Sequence, residues 1–150
     1  MRVSSQVRYA LCGVFDLAYN GRGVPLQVRV VGERQKIPVR YLEQIFRRLR
    51  RAGLVEARRG PRGGYRLARP AAQITLRDVV EAVEGPIGAE RGGTPGPWRS
   101  GSVHQPAFLW APLSARLAGA LAEIDFETLC RDAARAGVRR ADEDARMYFI

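Results

Sequence analysis

"YLEQIFRRLRRAGLVEARRGPRGGYRLARP", residues 41–70, decides the fold. Leu42, Ile45, Phe46 and Leu49 recur at helical spacing and give one apolar face. Arg47, Arg48, Arg50 and Arg51 take much of the remaining circumference. Gly53 is placed to stop the helix, because glycine accepts the left-handed backbone that ends helices. "LVEAR" (54–58) and "GYRLAR" (64–69) alternate as two short strands would, with Gly60–Gly64 as the turn between them. Five arginines and three glycines surround one tyrosine in residues 58–70. Alone, a glycine-rich basic turn is an ordinary solvated hairpin. Directly after a basic helix, it forms a unit that suits duplex DNA: helix in the major groove, hairpin tip beside it.

The charge is distributed to match. Residues 1–70 carry 15 Arg and one Lys against four acidic residues, a net of +12. Residues 71–150 carry nine Arg against eleven acidic residues, a net of −2. The basic half is thus a separate electrostatic object, as a polyanion-binding half would be. A chain of 150 residues with 46% apolar content is long enough for one cored domain plus an appendage. No run of 18 apolar residues exists, so no membrane span is expected. The start, "MRVSSQVRYALCGVF", has no signal-cleavage pattern. Cys12 and Cys130 lie far apart with no metal spacing, which points to a reducing, cytoplasmic setting.

The rest of the chain divides at 84/85 and 107/108. In residues 1–84, a first helix is expected from about Ser5 to Tyr19, with Val7, Ala10, Leu11, Val14 and Ala18 as its buried stripe. "GRGVP" (21–25) is a loop, and "LQVRVVGERQ" (26–35) is ambiguous between helix and strand because of its valines. Thr75 caps "LRDVVEAVE", with Asp78 at the capping-box position and Gly85 at the end. Residues 85–106 hold six Gly and four Pro and read as a linker loop. From Leu109 a helix resumes with Leu113, Leu117, Ala120, Leu121 and Ile124 on one face, and Asp125 caps a last helix, "FETLCRDAARAG".

Together, "MRVSSQVRYAL", "ERQKIPVRYLEQIFRRLRRAGLVEARRGPRGGYRLARP" and "ITLRDVVEAVEGP" resemble the Rrf2 family of winged-helix transcription regulators. That family includes the iron–sulfur cluster regulator and the nitric-oxide-sensitive repressor. The resemblance covers residues 1–87 closely and resumes at "LWAPLSARLAGAL", which looks like the family's long dimerisation helix. It implies a mainly α winged helix-turn-helix with a small β-hairpin wing and a long C-terminal dimerisation helix. Residues 26–35 become the first helix of the pair, the helix of residues 41–51 the recognition helix, and residues 58–70 the wing.

The same resemblance places double-stranded DNA with an inverted-repeat operator as the partner of a homodimer, more specifically a repressor. The N-terminal end of a recognition helix meets base edges. There Gln44 can pair with adenine, Glu43 can accept from the cytosine amino group and Arg40 can reach guanine, while Tyr41 suits a phosphate. Arg47, Arg48, Arg50 and Arg51 are placed for the DNA backbone or for ion pairs. In the wing, Arg59 matches the family arginine that enters the minor groove. Arg62 stands where relatives often have Gly and adds a phosphate contact, and Gly63 and Gly64 complete the tip. Leu113, Leu117, Leu121 and Ile124 are the expected dimer interface.

Two departures stand out. Lys36 occupies the turn position where the family usually has Gly, so a turn of different shape around Pro38 is expected. Many members bind a cluster on three cysteines in the loop after the fourth helix, the usual ligand chemistry. Here that loop, "GPIGAERGGTPGPWRSGSVHQP", has no cysteine. His104 falls near the last family cysteine, but a single histidine is no cluster site. No cofactor is expected, and the effector stays open. It is a small molecule against Trp98, Phe108 and Trp110, a redox signal at Cys12 or Cys130, or a partner protein.

Other classes fit less well. One histidine, no paired carboxylates and no nucleophile motif give no enzyme. A basic RNA-binding or ribosome-associated protein shares the +12 half, but RNA modules display stacking aromatics and only Tyr41 and Tyr65 lie near it. A cluster sensor with non-cysteine ligands, and a winged helix used only for protein contacts, are the remaining alternatives.

Overall fold

A computed structural model describes residues 3–88 and 107–141. It is mainly helical: α1 (Ser5–Asp16), a π-turn (Leu17–Gly21), α2 (Val28–Gln35) and α3 (Val39–Arg51) precede the hairpin β1 (Val55–Arg58) and β2 (Gly64–Leu67). Then come α4 (Leu76–Glu84), α5 (Trp110–Ala122) and α6 (Phe126–Arg135). Helices α2 and α3 form the helix-turn-helix, and the hairpin is the wing.

The Ser4 hydroxyl accepts from the Val7 N–H and starts α1. Val7, Ala10 and Val14 are buried as expected, whereas Leu11 and Ala18 are only half-buried. Instead Asp16, Leu17 and Tyr19 go inside. The last turn of this helix widens into π geometry, and the extra residue per turn rotates the buried face. A pattern read at 3.6 residues per turn cannot anticipate that rotation.

The ambiguous 26–35 segment is helical over α2 because Val31 seals against the core at 0% exposure. That packing outweighs the poor helix propensity of its valines. The reshaped turn expected around Pro38 does not occur. Lys36 itself takes the left-handed conformation, φ 56 and ψ 41. A non-glycine residue there costs about 1–2 kcal/mol. The turn keeps this shape because both the Lys36 and Ile37 N–H groups donate to the Gly32 carbonyl, and Ile37 is thereby delivered into the core.

Helix α3 ends at Gly53, φ +72, where the Leu54 N–H donates back to Leu49 at 3.0 Å and turns Leu54 and Val55 inward. In the wing, Val55 pairs with Leu67 and Arg58 with Gly64 in an antiparallel register. Leu26 exchanges hydrogen bonds with Tyr65 at 2.9 and 2.8 Å, adding a bridge on the other edge of the hairpin.

One core gathers Val7, Val14, Val31, Phe46, Leu54 and Val79 together with Phe126 of α6. Phe126 reaches it because Thr75 and Asp125 form a β-bridge, with Leu76 N–H on the Ile124 carbonyl (2.9 Å) and Phe126 N–H on the Ile74 carbonyl (3.0 Å). The two bridge residues are also helix caps. Thr75 and Asp78 form the expected capping box on α4, and the Asp125 carboxylate accepts from the Thr128 N–H at 2.8 Å on α6. Helix α5 runs over α4 and buries only Ala118.

Candidate nucleic-acid interface

The helix-turn-helix and the wing both expose arginines. On α3, Leu42, Ile45, Phe46 and Leu49 point into the core, which leaves Arg40, Tyr41, Glu43, Gln44, Arg47, Arg48, Arg50 and Arg51 exposed. This is the partition that the spacing predicts, and it frees the N-terminal end of the helix for an outside contact. Arg40 and Tyr41 are mutually braced: Nη2 donates to the Tyr41 hydroxyl at 2.8 Å, and the guanidinium lies 4.7 Å from the ring centroid.

Arg48 behaves differently from the arginines around it. Its Nη1 donates to the Val83 carbonyl (3.1 Å) and to Gln6 Oε1 (2.8 Å), tying α3 to α4 and α1. By contrast, Arg47, Arg50, Arg51, Arg59 and Arg62 make no hydrogen bond or ion pair among the described residues. Arg47, Arg50 and Arg51 line a shallow 420 Å³ groove on the outer side of α3.

Arg59 and Arg62 flank the tip of the wing, where Gly63 N–H donates to the Gly60 carbonyl at 2.9 Å and closes the turn. The two glycines beyond it are required by close approach. A Cβ on Gly63 would meet the Arg58 carbonyl, and one on Gly64, φ +146, would meet the Leu26 carbonyl. These two glycines shape the tip that carries the arginines. The base of the wing is braced by Glu56, whose carboxylate takes a hydrogen bond from Arg66 that holds its pKa below the ordinary range. Arg58 pairs with the same carboxylate at 3.6 Å. Two of the five wing arginines are thereby spent on the hairpin.

A feature invisible to spacing lies beside α3. Ser5, Gln6 and Tyr9 of α1 line a 340 Å³ cleft with Tyr41, Gln44, Ile45 and Arg48. Hydroxyls and amides converge there next to the residues expected to read bases. Only the tertiary crossing of α1 and α3 joins them, so the sequence gives no local signal.

On and around α5, Phe108, Leu109, Trp110, Leu113, Leu117 and Ile124 are exposed in the single chain, with Trp110 at 63% and Leu113 at 57%. Leu121 is half-buried. Phe108 and Trp110 are thus exposed, and Trp98 and His104 lie outside the described residues. No described helix is long and apolar enough to cross a membrane.

The Rrf2 model, described as an iron-dependent transcriptional regulator, matches residues 3–132. The IscR transcriptional regulators of Cronobacter sakazakii and Escherichia coli are 41% and 40% identical over 124 residues, 83% of this chain and 76% of theirs. The solved T. potens IscR superposes with a TM-score of 0.74 at 29% identity, covering 95% of this chain and 96% of that one. CymR, the global cysteine regulator of B. subtilis, superposes with a TM-score of 0.68 at 28% identity, covering 87% and 97%.

The donor chemistry does not fit an iron–sulfur cluster. Cys12 and Cys130 are the chain's only cysteines; they stand on different helices, and burial pushes both thiols up, away from the thiolate form that binds iron. Among the described residues no three His, Cys, Asp or Glu side chains gather as a metal site. With its winged helix, basic face and matches over most of its length, this chain belongs to the Rrf2 family and is a sequence-specific DNA-binding transcription regulator that lacks the family's cluster-binding cysteines.

Proposed function

We propose that the protein is a cytoplasmic, homodimeric repressor that binds an inverted-repeat operator without an iron–sulfur cluster. The observation that carries this reading is the pairing of a basic reading face with an uncovered apolar helix on one chain. Glu43 and Gln44 are exposed at the N-terminal end of α3, and Arg59 and Arg62 at the wing tip have no partner among the described residues. Leu113, Leu117 and Ile124 are exposed on the α5 side. Two-fold packing of α5 on its copy, with Leu121 in the seam, sets two reading faces related by symmetry, and the DNA must share that symmetry. Gln44, Glu43 and Arg40 address base edges, Arg59 the minor groove, and Tyr41, Arg47, Arg50, Arg51 and Arg62 the phosphates. The α1–α3 cleft receives a backbone segment beside the contacted bases.

The test is a competition at matched salt among a duplex selected from random DNA, an unselected duplex and a structured RNA, with sedimentation of the complex. The reading expects strong preference for the selected duplex and two chains per site. Equal affinity for RNA would favour the RNA-binding alternative. Protein purified without oxygen should be colourless with sub-stoichiometric iron; a brown preparation with iron and sulfide would restore a cluster with non-cysteine ligands, and His104 would be the first residue to replace.

A further inference from the structure

Asp16 is the one fully buried charged residue of the described chain, and the interface does not use it. It closes α1, and three residues converge on its carboxylate. Arg34 sets Nη2 at 2.9 Å from Oδ1 and donates from Nε to Oδ2 at 3.1 Å. Gln35 Nε2 donates to Oδ2 at 3.4 Å, and Asn20 Nδ2 to Oδ1 at 2.6 Å. Arg34 and Gln35 are the last two residues of α2, so Asp16 fixes the end of the first helix of the helix-turn-helix.

Asn20 has a second partner. Its Oδ1 accepts from the Ala141 N–H at 2.9 Å, far along the chain. The neighbouring residue of the π-turn is gripped by the same segment. The Tyr19 hydroxyl donates to the Val138 carbonyl at 2.7 Å, and Arg140 Nη1 donates to the Tyr19 carbonyl at 3.1 Å. The Arg140 guanidinium also lies 4.4 Å from the centroid of the Tyr19 ring. Residues 138–141 follow α6, and α6 follows α5.

We propose that residues 138–141 are a strap that positions α2 for DNA through Asn20 and Asp16. An Asn side chain carries a donor and an acceptor in one rigid plane, so the amide held by Ala141 aims its NH2 group at Asp16. Loss of the Ala141 bond frees the amide to rotate, and the buried carboxylate loses a donor. Arg34 and Gln35 then redistribute around it, and the end of α2 shifts. Because the strap follows directly from α5 and α6, it adds a polar connection between that part of the chain and α2 to the Thr75–Asp125 bridge and the packing of Phe126. The inference rests on α2 and α3 as the DNA-facing pair.

Spatial continuity alone does not establish coupling, whereas non-additivity does. The test is a double-mutant cycle in the full chain. Arg140→Ala with Ala141→Pro removes the strap's donors. Asn20→Asp keeps the acceptor for Ala141 but replaces the donor to Asp16 with a carboxylate that repels it, cutting the link on the Asp16 side. Tyr19→Phe is the milder strap variant should the first pair impair folding. The strap variant should bind a selected duplex about tenfold more weakly, with random DNA changed by no more than about twofold. Amide exchange should quicken in α2 but not in α4, a readout independent of DNA. In the Asn20→Asp background the strap changes should add less than about twofold. Independent, multiplicative losses, or unchanged α2 exchange in a folded strap variant, would overturn the proposal. Absence of any selected duplex would instead count against the operator reading and leave the exchange result to decide.

Discussion

Helices α3 and α5 are both 13 residues long and use that length in opposite ways. Helix α3 turns its whole apolar face into its own chain and shows arginines, Glu43 and Gln44 outside. Helix α5 buries only Ala118 and carries Trp110, Leu113 and Leu117 outside. A helix whose apolar side is already satisfied offers polar chemistry to the world, which suits a hydrated polyanion. A helix whose apolar side faces water gains about 25 cal/mol for each Å² of apolar surface that another surface covers. One chain thus has one helix finished by its own fold and one whose apolar side, on the proposed reading, a second copy covers.

The largest expected effect separates the two by stability. Phe46→Ala should cost about 3–5 kcal/mol in denaturant unfolding, the usual toll of emptying an aromatic core site. Trp110→Ala should leave unfolding of the winged helix nearly unchanged. Similar losses in both, measured in the monomeric Leu117→Glu background, would mean that α5 is as much a part of the single-chain core as α3.

Next comes association. Leu117→Glu should sediment as a monomer, retain its helical circular dichroism and bind a selected duplex poorly. A buried leucine truncated to alanine typically costs ~2–5 kcal/mol, and a buried glutamate does at least as much harm. A variant that stays dimeric would place the interface elsewhere.

A finer division runs within the arginines. Arg62→Ala should weaken specific and random DNA alike and lower the salt slope by about one unit. Arg59→Ala should harm specific binding more than random binding. Arg48→Ala should instead show in stability, since Arg48 is hydrogen-bonded to the Val83 carbonyl. Identical salt slopes for Arg62→Ala and wild type would remove the wing tip from the phosphate set.

The smallest effect concerns the cap that joins α5 to the core. Hydrogen bonds from the Thr128 backbone N–H and hydroxyl hold the Asp125 carboxyl below its ordinary pKa. Its stabilisation is therefore full above the unfolded value, about 3.9, and is lost as pH falls through the lower folded value. Asp125→Ala should cost about 1 kcal/mol at neutral pH, and the difference from wild type should close in strong acid. A gap independent of pH would show that the charge does not matter.

How much of this was readable depended on whether the cause was local. Leu42, Ile45, Phe46 and Leu49 repeat at helical spacing, Gly53 and Gly85 end helices, and Thr75 with Asp78 and Asp125 are caps, so each announced itself within a few residues. The Lys36 turn is not legible because what holds its left-handed backbone is the burial of Ile37 in the core, a tertiary cause that leaves no mark on the residue types around Lys36. Asp16 gives no sign in the sequence because its partners lie on α2 and the π-turn. The role of Arg48 was hidden because its acceptors sit on α1 and α4, and the cleft with Ser5 and Tyr9 exists only where α1 crosses α3.

The most direct test of the finished-helix and unfinished-helix division is selection of binding sites from random DNA. It should be run with wild type, Glu43→Ala and Gln44→Ala, dimers in each case. Wild type should return an inverted repeat. Each variant should lose preference at one position in both halves, symmetrically, by ~1–3 kcal/mol per contact. An identical consensus from all three proteins, or a wild-type consensus without two-fold symmetry, would contradict the assignment of base reading to α3 and of pairing to α5.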